Sequence, residues 1–258
     1  MFITIDGKPC ECAEGEFVLA AALRNGIDIP RLCHHAALPN QASCRLCLVE
    51  IMENGVKHVT ASCSYPVSEG IEVVTRSQEL QKLRSGVLAL LKERAPASPE
   101  ISALCEKFGV AGDKRFFRDT NERCVMCGLC TAACKLLGAS AISAAFRGVD
   151  KKISTPFGEM SPACIGCGAC ARVCPCGAIP LTESGGAREI WGKSFELVRC
   201  PACGKPFATR EELAFLAKKF ALPPEFKGLC RECQRKETVK KMPELRNAIA
   251  AYPSGSAK

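Results

Sequence analysis

The chain has 258 residues, 24% of them charged, with a formal net charge of +8 at pH 7 and 20 cysteines. Most cysteines fall in C-x2-C groups whose members are too close for useful cross-linking, which favours metal binding over a secreted disulfide scaffold. The N-terminus has no charged head before an apolar segment, and no run approaches the roughly 18 apolar residues of a membrane span. We therefore expect a soluble, cytoplasmic protein with no membrane span.

The positive charge raises the possibility of nucleic-acid binding, because clustered Lys and Arg contact phosphates. The chain has no dense basic run and no aromatic platform for bases. The formal charge also counts every cysteine as neutral. Four thiolates around a doubly charged metal core contribute about two negative charges per site, so four such sites would leave a nearly neutral chain. We expect no nucleic-acid partner.

Residues 1–78 are predicted to form short strands around one helix. The strand segments are FITI, KPCECA, CLVEIME, VKHVT and IEVVT, with turns at Asp6-Gly7 and Asn54-Gly55. The helix is EFVLAAALRNG, which Gly26 ends. A mixed sheet with one helix is an α+β module.

Three further regions follow. Residues 79–118 are predicted to be a helical linker, in which leucines lie at helical spacing before Pro96 and a second helix runs from Pro99 to Gly109. Two cysteine-rich repeats occupy residues 119–185, and two more cysteine pairs and a charged tail occupy residues 186–258. The final Pro-Ser-Gly-Ser segment is expected to be disordered.

The two repeats share the spacing C-x2-C-x2-C-x3-C, which is the bacterial ferredoxin pattern. In that pattern three close thiolates hold one 4Fe-4S cluster and the fourth cysteine ligates the other cluster. A tetrahedral zinc needs two C-x2-C pairs and has no use for a third and fourth cysteine in the same run. We assign one cluster to Cys124, Cys127, Cys130 and Cys174, and the other to Cys134, Cys164, Cys167 and Cys170. Lys135 departs from the pattern, because Pro usually follows the fourth cysteine.

A separate constellation lies in the first region, with the spacing C-x10-C-x2-C-x15-C: Cys33, Cys44, Cys47 and Cys63. Plant-type ferredoxins hold a 2Fe-2S cluster with a shorter first gap and a distant fourth cysteine. Spacing alone leaves zinc open here. His34 and His35 lack the separation of a Rieske site and are expected to face solvent.

The segments RLCHHAALPNQASCRLCLVEI and VTASCSYPV resemble the 2Fe-2S domain that begins the large peripheral subunit of respiratory complex I, iron-only hydrogenases and the small subunit of NAD-linked hydrogenase diaphorases. The diaphorase subunit matches best in length and order, to about residue 185. The resemblance implies a β-grasp domain with a 2Fe-2S cluster on the four cysteines above. That family has a further 4Fe-4S cluster on one histidine and three cysteines, but only Cys105 remains here. We expect this cluster to be missing and Cys105 to be a buried helix thiol.

Three cysteines lie outside these patterns. Cys10 and Cys12 share one face of a predicted strand and are expected to be packing residues. Cys176 follows a completed ferredoxin pattern and is expected to be a turn thiol, with the alternative that it tunes or substitutes for Cys174.

The C-terminal region contains two C-x2-C pairs separated by a predicted helical insert: Cys200, Cys203, Cys230 and Cys233. Two such turns can close a tetrahedron, as in a zinc ribbon. Zinc is favoured, while a rubredoxin-like iron or a further cluster stays open because four thiolates alone do not choose the metal. The ferredoxin-like subunit of formate hydrogenlyases looks similar in its cysteine-paired tail.

Neither a G-x-G-x-x-G turn nor the full G-x-x-x-x-G-K-[ST] loop is present, because the G-K-S at residues 192–194 has Ala187 where that loop needs glycine, so no nicotinamide or flavin motif is recognisable. We predict an electron-transfer subunit with no catalytic site of its own, one 2Fe-2S cluster, two 4Fe-4S clusters and one zinc. Its expected partners are a flavin-bearing NAD(P)H-oxidising subunit and another redox subunit. The alternatives are a free ferredoxin-like carrier, an electron-transfer subunit of another large complex, and a scaffold that holds zinc and clusters without electron flow.

Overall fold

The computed structural model describes residues 1–111, 121–222 and 228–250, with only the backbone of residues 241–250. The chain divides into two compact units, Met1–Ala163 with Gly168–Pro180, and Cys164–Cys167 with Leu181–Lys258. Both contain helices and strands, which confirms the mixed α and β composition. The C-terminal segment expected to be disordered lies outside the described residues. Within the described part, no helix is long and apolar enough to cross a membrane.

The first unit begins with a five-stranded sheet in the order β2-β1-β5-β3-β4. Its strands are β1 (Phe2–Ile5), β2 (Lys8–Glu11), β3 (Leu48–Glu53), β4 (Val56–Ala61) and β5 (Glu72–Val74). The central pair β1 and β5 is parallel and the other pairs are antiparallel. Helix α1 (Val18–Arg24) packs its buried residues into the same core. This strand order is the one that a β-grasp sheet requires.

Both predicted hairpin turns are present. Asp6-Gly7 joins β1 to β2, and Asn54-Gly55 joins β3 to β4, with all four residues at positive φ. Two successive positive φ angles give the turn twist that matches a right-handed hairpin. These turns set the antiparallel register that places the ends of β3 and β4 side by side.

Two helices follow the sheet, close to their predicted bounds. Helix α2 (Gln78–Arg94) is capped by Ser77, and α3 (Pro99–Phe108) is capped by Ser98 and ends at Gly109 with φ +64°. A serine hydroxyl at each N-terminus satisfies a backbone N–H that has no partner within the helix.

The cysteine repeats of the first unit have little regular structure. Helix α4 (Leu129–Leu137) and the single turn α5 (Ala169–Arg172) each begin after a glycine at positive φ, Gly128 and Gly168. The intervening segment contains the antiparallel pair β6 (Ser143–Ala145) and β7 (Lys152–Ser154).

The second unit contains a four-stranded antiparallel sheet that the sequence analysis did not predict, in the order β11-β10-β9-β8. Its strands are β8 (Leu181–Ser184), β9 (Ala187–Ile190), β10 (Lys193–Arg199) and β11 (Pro206–Thr209). Helices α6 (Arg210–Lys219) and α7 (Arg231–Ala250) follow. The predicted helical insert is confirmed as α6. The alternation of buried Phe195 and Leu197 along β10 was a strand signal available in the sequence.

Candidate metal centres

The first cysteine group lies where the loop after α1 meets the ends of two paired strands. Cys47 precedes β3 and Cys63 follows β4, and the pairing of Leu48 with Ala61 brings the two cysteines together. The N–H of Ser62 donates to the Cys47 carbonyl at 2.9 Å. All four predicted ligands of this group are buried: Cys33, Cys44, Cys47 and Cys63.

The side chains of this group interact in three pairs: Cys33 with Cys44, Cys33 with Cys63, and Cys47 with Cys63. Hydrogen bonds from the Cys44 and Cys63 side chains lower the pKa of Cys33 to about 2, and the Cys63 side chain lowers the pKa of Cys47 to about 6. The same bonds raise the pKa of Cys44 and Cys63. The lowered pKa of Cys33 and of Cys47 favours their thiolate forms, and a cationic cluster bound by the four sulfurs would balance the thiolate charge.

The loop around this group is fixed by side chains. Asn40 donates to the Cys63 carbonyl at 2.7 Å, and its Oδ1 lies 2.9 Å from Nδ1 of His34. His34 is half-buried and His35 is exposed. The expectation that both histidines face solvent was therefore wrong for His34, because its ring takes part in this chain of hydrogen bonds.

A buried arginine also supports the first group. The guanidinium of Arg84, on α2, donates to the carbonyls of Leu46 and Leu48, on either side of Cys47, and to the Thr75 carbonyl. Only 4% of Arg84 is exposed, and burial lowers its pKa. Sequence reasoning missed this residue, because a single Arg in a helical pattern carries no sign of a partner 38 positions away.

The second group is the predicted first 4Fe-4S site: Cys124, Cys127, Cys130 and Cys174. Burial, with a smaller contribution from a charge on Cys174, raises the pKa of Cys127 to about 11 and that of Cys130 to about 12. Cys174 also raises the pKa of Cys124. The fourth cysteine of the second repeat is therefore near enough to act electrostatically on the first three of the first repeat. Crossed ligation by these four cysteines stays a prediction. Thiols that resist ionisation alone can ionise when a metal cluster balances their charge.

The other predicted 4Fe-4S ligands are divided between the units. In the first unit, Cys134 accepts a hydrogen bond from the Ala141 N–H at 3.2 Å, and Cys170 is buried. In the second unit, Cys164 and Cys167 are half-buried at the two ends of a short loop. This ligand set stays a prediction.

The first two cysteine groups are adjacent within the first unit. The Ser43 hydroxyl donates to the Met126 carbonyl at 3.1 Å, and Gln41 lies so close to Gly128 that a Cβ there would come within 2.9 Å of its Oε1. A charge on Cys33 raises the pKa of Cys127. The same buried cluster contains Cys33, Cys44 and Cys127. The loop that carries Cys44 therefore packs on the loop that carries Cys127.

The cysteines outside the predicted sites are buried. Cys10 and Cys12 lie in the core of the sheet, as predicted. Cys105 is 4% exposed and its sulfur lies 3.9 Å from the Leu88 carbonyl, which confirms a buried helix thiol. Cys176 lies in a turn and is 1% exposed, and burial raises its pKa to about 12.

The C-terminal cysteines form the tightest group. The sulfurs of Cys200, Cys203, Cys230 and Cys233 lie within 4.8 Å of one another. Hydrogen bonds from backbone N–H groups, the Cys230 N–H first, lower the pKa of Cys200 to about 6. Four converging thiols fit a tetrahedral metal ion. The first pair lies in the turn between β10 and β11, whereas the second pair lies at the start of α7, where a zinc ribbon would have a second hairpin turn.

The fold and the cysteine groups together define an iron-sulfur protein. Residues 2–78 match a 2Fe-2S iron-sulfur cluster binding domain, and residues 163–209 match a 4Fe-4S dicluster domain. The second match contains the whole second repeat together with Cys200 and Cys203, while the first repeat lies outside it. Both predicted cluster types are therefore confirmed.

The chain is similar to subunits of pyridine-nucleotide-linked oxidoreductases. It is 31% identical over 232 residues to an NADH-quinone oxidoreductase subunit of Rhizobium meliloti (strain 1021), with 78% of this chain and 26% of the relative covered. It is 32% identical over 209 residues to NADP-reducing hydrogenase subunit HndD of Solidesulfovibrio fructosivorans, with 69% of this chain and 35% of the relative covered. The chain thus spans about a quarter to a third of the length of these curated relatives.

A solved structure shows the same likeness. The chain superposes on a chain of NAD+-reducing [NiFe]-hydrogenase in the H2-reduced state with a TM-score of 0.61 and 26% identity, covering 82% of this chain and 93% of that chain. The predicted resemblance to complex I and hydrogenase iron-sulfur subunits is confirmed.

Proposed function

We propose that this chain is a multi-cluster iron-sulfur electron-transfer subunit of an NAD(P)-linked oxidoreductase complex, of the hydrogenase or formate dehydrogenase type. The observation that carries the proposal is the packing of the Cys44 loop on the Cys127 loop within one compact unit. Two redox centres held by touching loops can exchange single electrons without any motion of the protein.

The proposed ligand sets follow the cysteine groups. A 2Fe-2S cluster would be held by Cys33, Cys44, Cys47 and Cys63, and one 4Fe-4S cluster by Cys124, Cys127, Cys130 and Cys174. A second 4Fe-4S cluster would be held by Cys134, Cys164, Cys167 and Cys170. When bound, such clusters accept and release one electron at a time. The chain's own residues hold the thiolates and restrict access of water to them.

The proposed occupant of the C-terminal site is zinc. Its four sulfurs lie within 4.8 Å of one another, and four converging thiolates are the ligand set of a structural tetrahedral zinc site. A rubredoxin-like iron has the same ligands and is the competing occupant. Thiolate ligands for clusters and metal persist in a reducing compartment, which supports a cytoplasmic location.

Binding to partner subunits is favoured over a free carrier. The segment between the cysteine repeats exposes several large apolar side chains, including Phe157, which is fully exposed: Leu136, Phe146, Val149, Phe157 and Met160. Contiguous apolar surface marks protein contacts, and the concentration of these side chains in one segment supports a partner-binding surface there. The proposed partners are a flavin-bearing subunit that oxidises NAD(P)H and another redox subunit.

Reduction of the fully loaded, flavin-free chain tests the function. NAD(P)H delivers an electron pair as hydride, whereas an iron-sulfur cluster accepts single electrons, so a flavin is needed between them. Dithionite should bleach the cluster absorbance, NADH and NADPH should not, and a flavin-bearing partner subunit should restore rapid bleaching by NADH or NADPH. Rapid reduction of the flavin-free chain by NAD(P)H would contradict the relay.

A further inference from the structure

Three successive carbonyls of the Cys164–Cys167 loop receive side-chain hydrogen bonds from the second unit's sheet and its edge. Lys193 Nζ donates to the Cys164 carbonyl at 3.3 Å, and Thr209 Oγ1 donates to the Ile165 carbonyl at 2.5 Å. Arg188 Nη1 donates to the Gly166 carbonyl at 2.8 Å. The loop's backbone is therefore fixed along its length by residues that follow it by 22 to 44 positions.

The middle of this loop also packs against an aromatic ring. Gly166 has φ +68°, and a Cβ at that position would lie 2.5 Å from the Phe195 ring. Phe195 is 1% exposed. Only glycine meets both requirements, because other residues are strained at this φ and would also overlap the ring.

Two of the three side chains that bind the loop, Arg188 and Thr209, are themselves buried, while Lys193 is half-buried. Arg188 is 2% exposed and is paired with Glu183 at 2.8 Å and Glu212 at 3.7 Å. Thr209 is 0% exposed, and its hydroxyl also accepts the Glu212 N–H that begins α6. A buried charge is tolerated only when it is paired and hydrogen-bonded. The ion pairs of Arg188 and its hydrogen bond to the Gly166 carbonyl meet that requirement together.

The C-terminal cysteine group closes the hairpin that supplies part of this support. Strand β10 carries Lys193 and Phe195 and leads directly into Cys200, while β11 ends at Thr209. The turn between them is closed by hydrogen bonds from the Cys200 N–H to the Lys205 carbonyl and from the Gly204 N–H to the Cys200 carbonyl. Four thiolates in this turn and at the start of α7 would repel one another without a cation. A metal ion bound by all four sulfurs would remove that repulsion and would cross-link the hairpin turn to the start of α7.

We propose that the metal ion at the Cys200, Cys203, Cys230 and Cys233 site stabilises a 4Fe-4S cluster. The ion holds the β10–β11 hairpin in place. The hairpin in turn fixes the loop that carries Cys164 and Cys167, two of that cluster's ligands. The inference rests on the ligand set given under the proposed function. The C-terminal unit would then help to retain one 4Fe-4S cluster, independently of any contact that it makes with partner subunits.

The test uses the full chain with all clusters assembled anaerobically. A Cys203→Ser/Cys233→Ser variant should lose its C-terminal metal, and an iron chelator should then remove one 4Fe-4S cluster at least about tenfold faster than from the unaltered chain. The spectrum of the reduced protein after that loss should match that of a Cys170→Ser variant. The 2Fe-2S cluster and the other 4Fe-4S cluster should be lost at unchanged rates.

A second variant leaves the cysteines intact. Arg188→Gln removes the hydrogen bond to Gly166 and should speed loss of the same cluster while the C-terminal metal is retained. Its matched control is Arg210→Gln, in the same unit, because Arg210 pairs with Glu196 with both side chains largely exposed. The control should behave as the unaltered chain.

Unchanged cluster loss in both variants would overturn the inference, as would equal loss of all three clusters, which would indicate general unfolding. A failure of the proposed function is distinguishable, because it would appear in reduction by the flavin-bearing partner and leave cluster retention unaffected. If Cys170→Ser left both 4Fe-4S clusters in place, the ligand set itself would be wrong and the inference would fall with it.

Discussion

The Ser43 hydroxyl donates a hydrogen bond of 3.1 Å to the Met126 carbonyl, 83 positions later in the chain. This bond joins the loop of the 2Fe-2S group to the loop of the first 4Fe-4S group. Next to it, the Gln41 amide packs against Gly128 at positive φ. The contact is where the proposed electron path would pass between centres.

Gly128→Ala should disturb this contact. The new Cβ would lie 2.9 Å from Gln41 Oε1, and φ at this position is +81°. The Gln41 amide can turn away at little cost, so we expect a loss of unfolding free energy only slightly greater than the ~1 kcal/mol that a left-handed conformation alone costs a side chain. Denaturant unfolding followed by cluster absorbance measures this loss. Gly148→Ala is the matched control, because Gly148 has φ +57° and no atom near its Cβ position. Equal losses in the two variants would show that the loop contact has no steric cost.

Metal content tests the assignment of cofactors. Protein purified without oxygen should contain about ten iron ions and about one zinc ion per chain, because one 2Fe-2S cluster, two 4Fe-4S clusters and one tetrahedral site are predicted. Inductively coupled plasma mass spectrometry gives both numbers. About eleven iron ions without zinc would indicate a rubredoxin-like centre, and about fourteen would indicate a further 4Fe-4S cluster.

Cys174→Ser tests crossed ligation. Although residue 174 belongs to the second repeat, its charge raises the pKa of Cys127 and Cys130 in the first. We expect loss of the same cluster that Cys127→Ser removes, as judged by electron paramagnetic resonance of the dithionite-reduced protein. Cys176→Ser, two positions later, is the control and should keep both 4Fe-4S clusters. Loss of the cluster that Cys170→Ser removes would mean that each repeat ligates its own cluster.

Arg84→Met should destabilise the 2Fe-2S module. The guanidinium binds three carbonyls, two of which flank Cys47, and its removal leaves them without this donor. With about 1–3 kcal/mol for each buried group left unpaired, we expect a loss of about 3 kcal/mol or more. Circular dichroism of the 2Fe-2S chromophore during denaturant unfolding reports it. Arg76→Met removes an exposed charge from the same region and should change the unfolding midpoint little. A small effect at Arg84 would show that water replaces the guanidinium.

Local sequence determined the elements and the cysteine patterns. The Asp6-Gly7 and Asn54-Gly55 turns, the serine caps of α2 and α3 and the spacing of the two repeats all depend on residues a few positions apart. Such signals can be recognised in the sequence because turns, caps and tight ligand loops are set by local backbone geometry. The sheet of the second unit was overlooked, although Phe195 and Leu197 alternate as a strand requires.

Only the tertiary structure decided which distant groups meet. Arg84 reaches the carbonyls around Cys47, the Ser43 loop packs on Met126, and Arg188 binds Gly166. It also placed the second C-terminal cysteine pair at a helix start. A single basic or polar side chain can face solvent or bind a buried carbonyl, and the residues next to it in the sequence do not indicate which of the two occurs. Burial in the folded core decides between them, because a buried carbonyl needs a hydrogen-bond donor and a buried guanidinium needs acceptors.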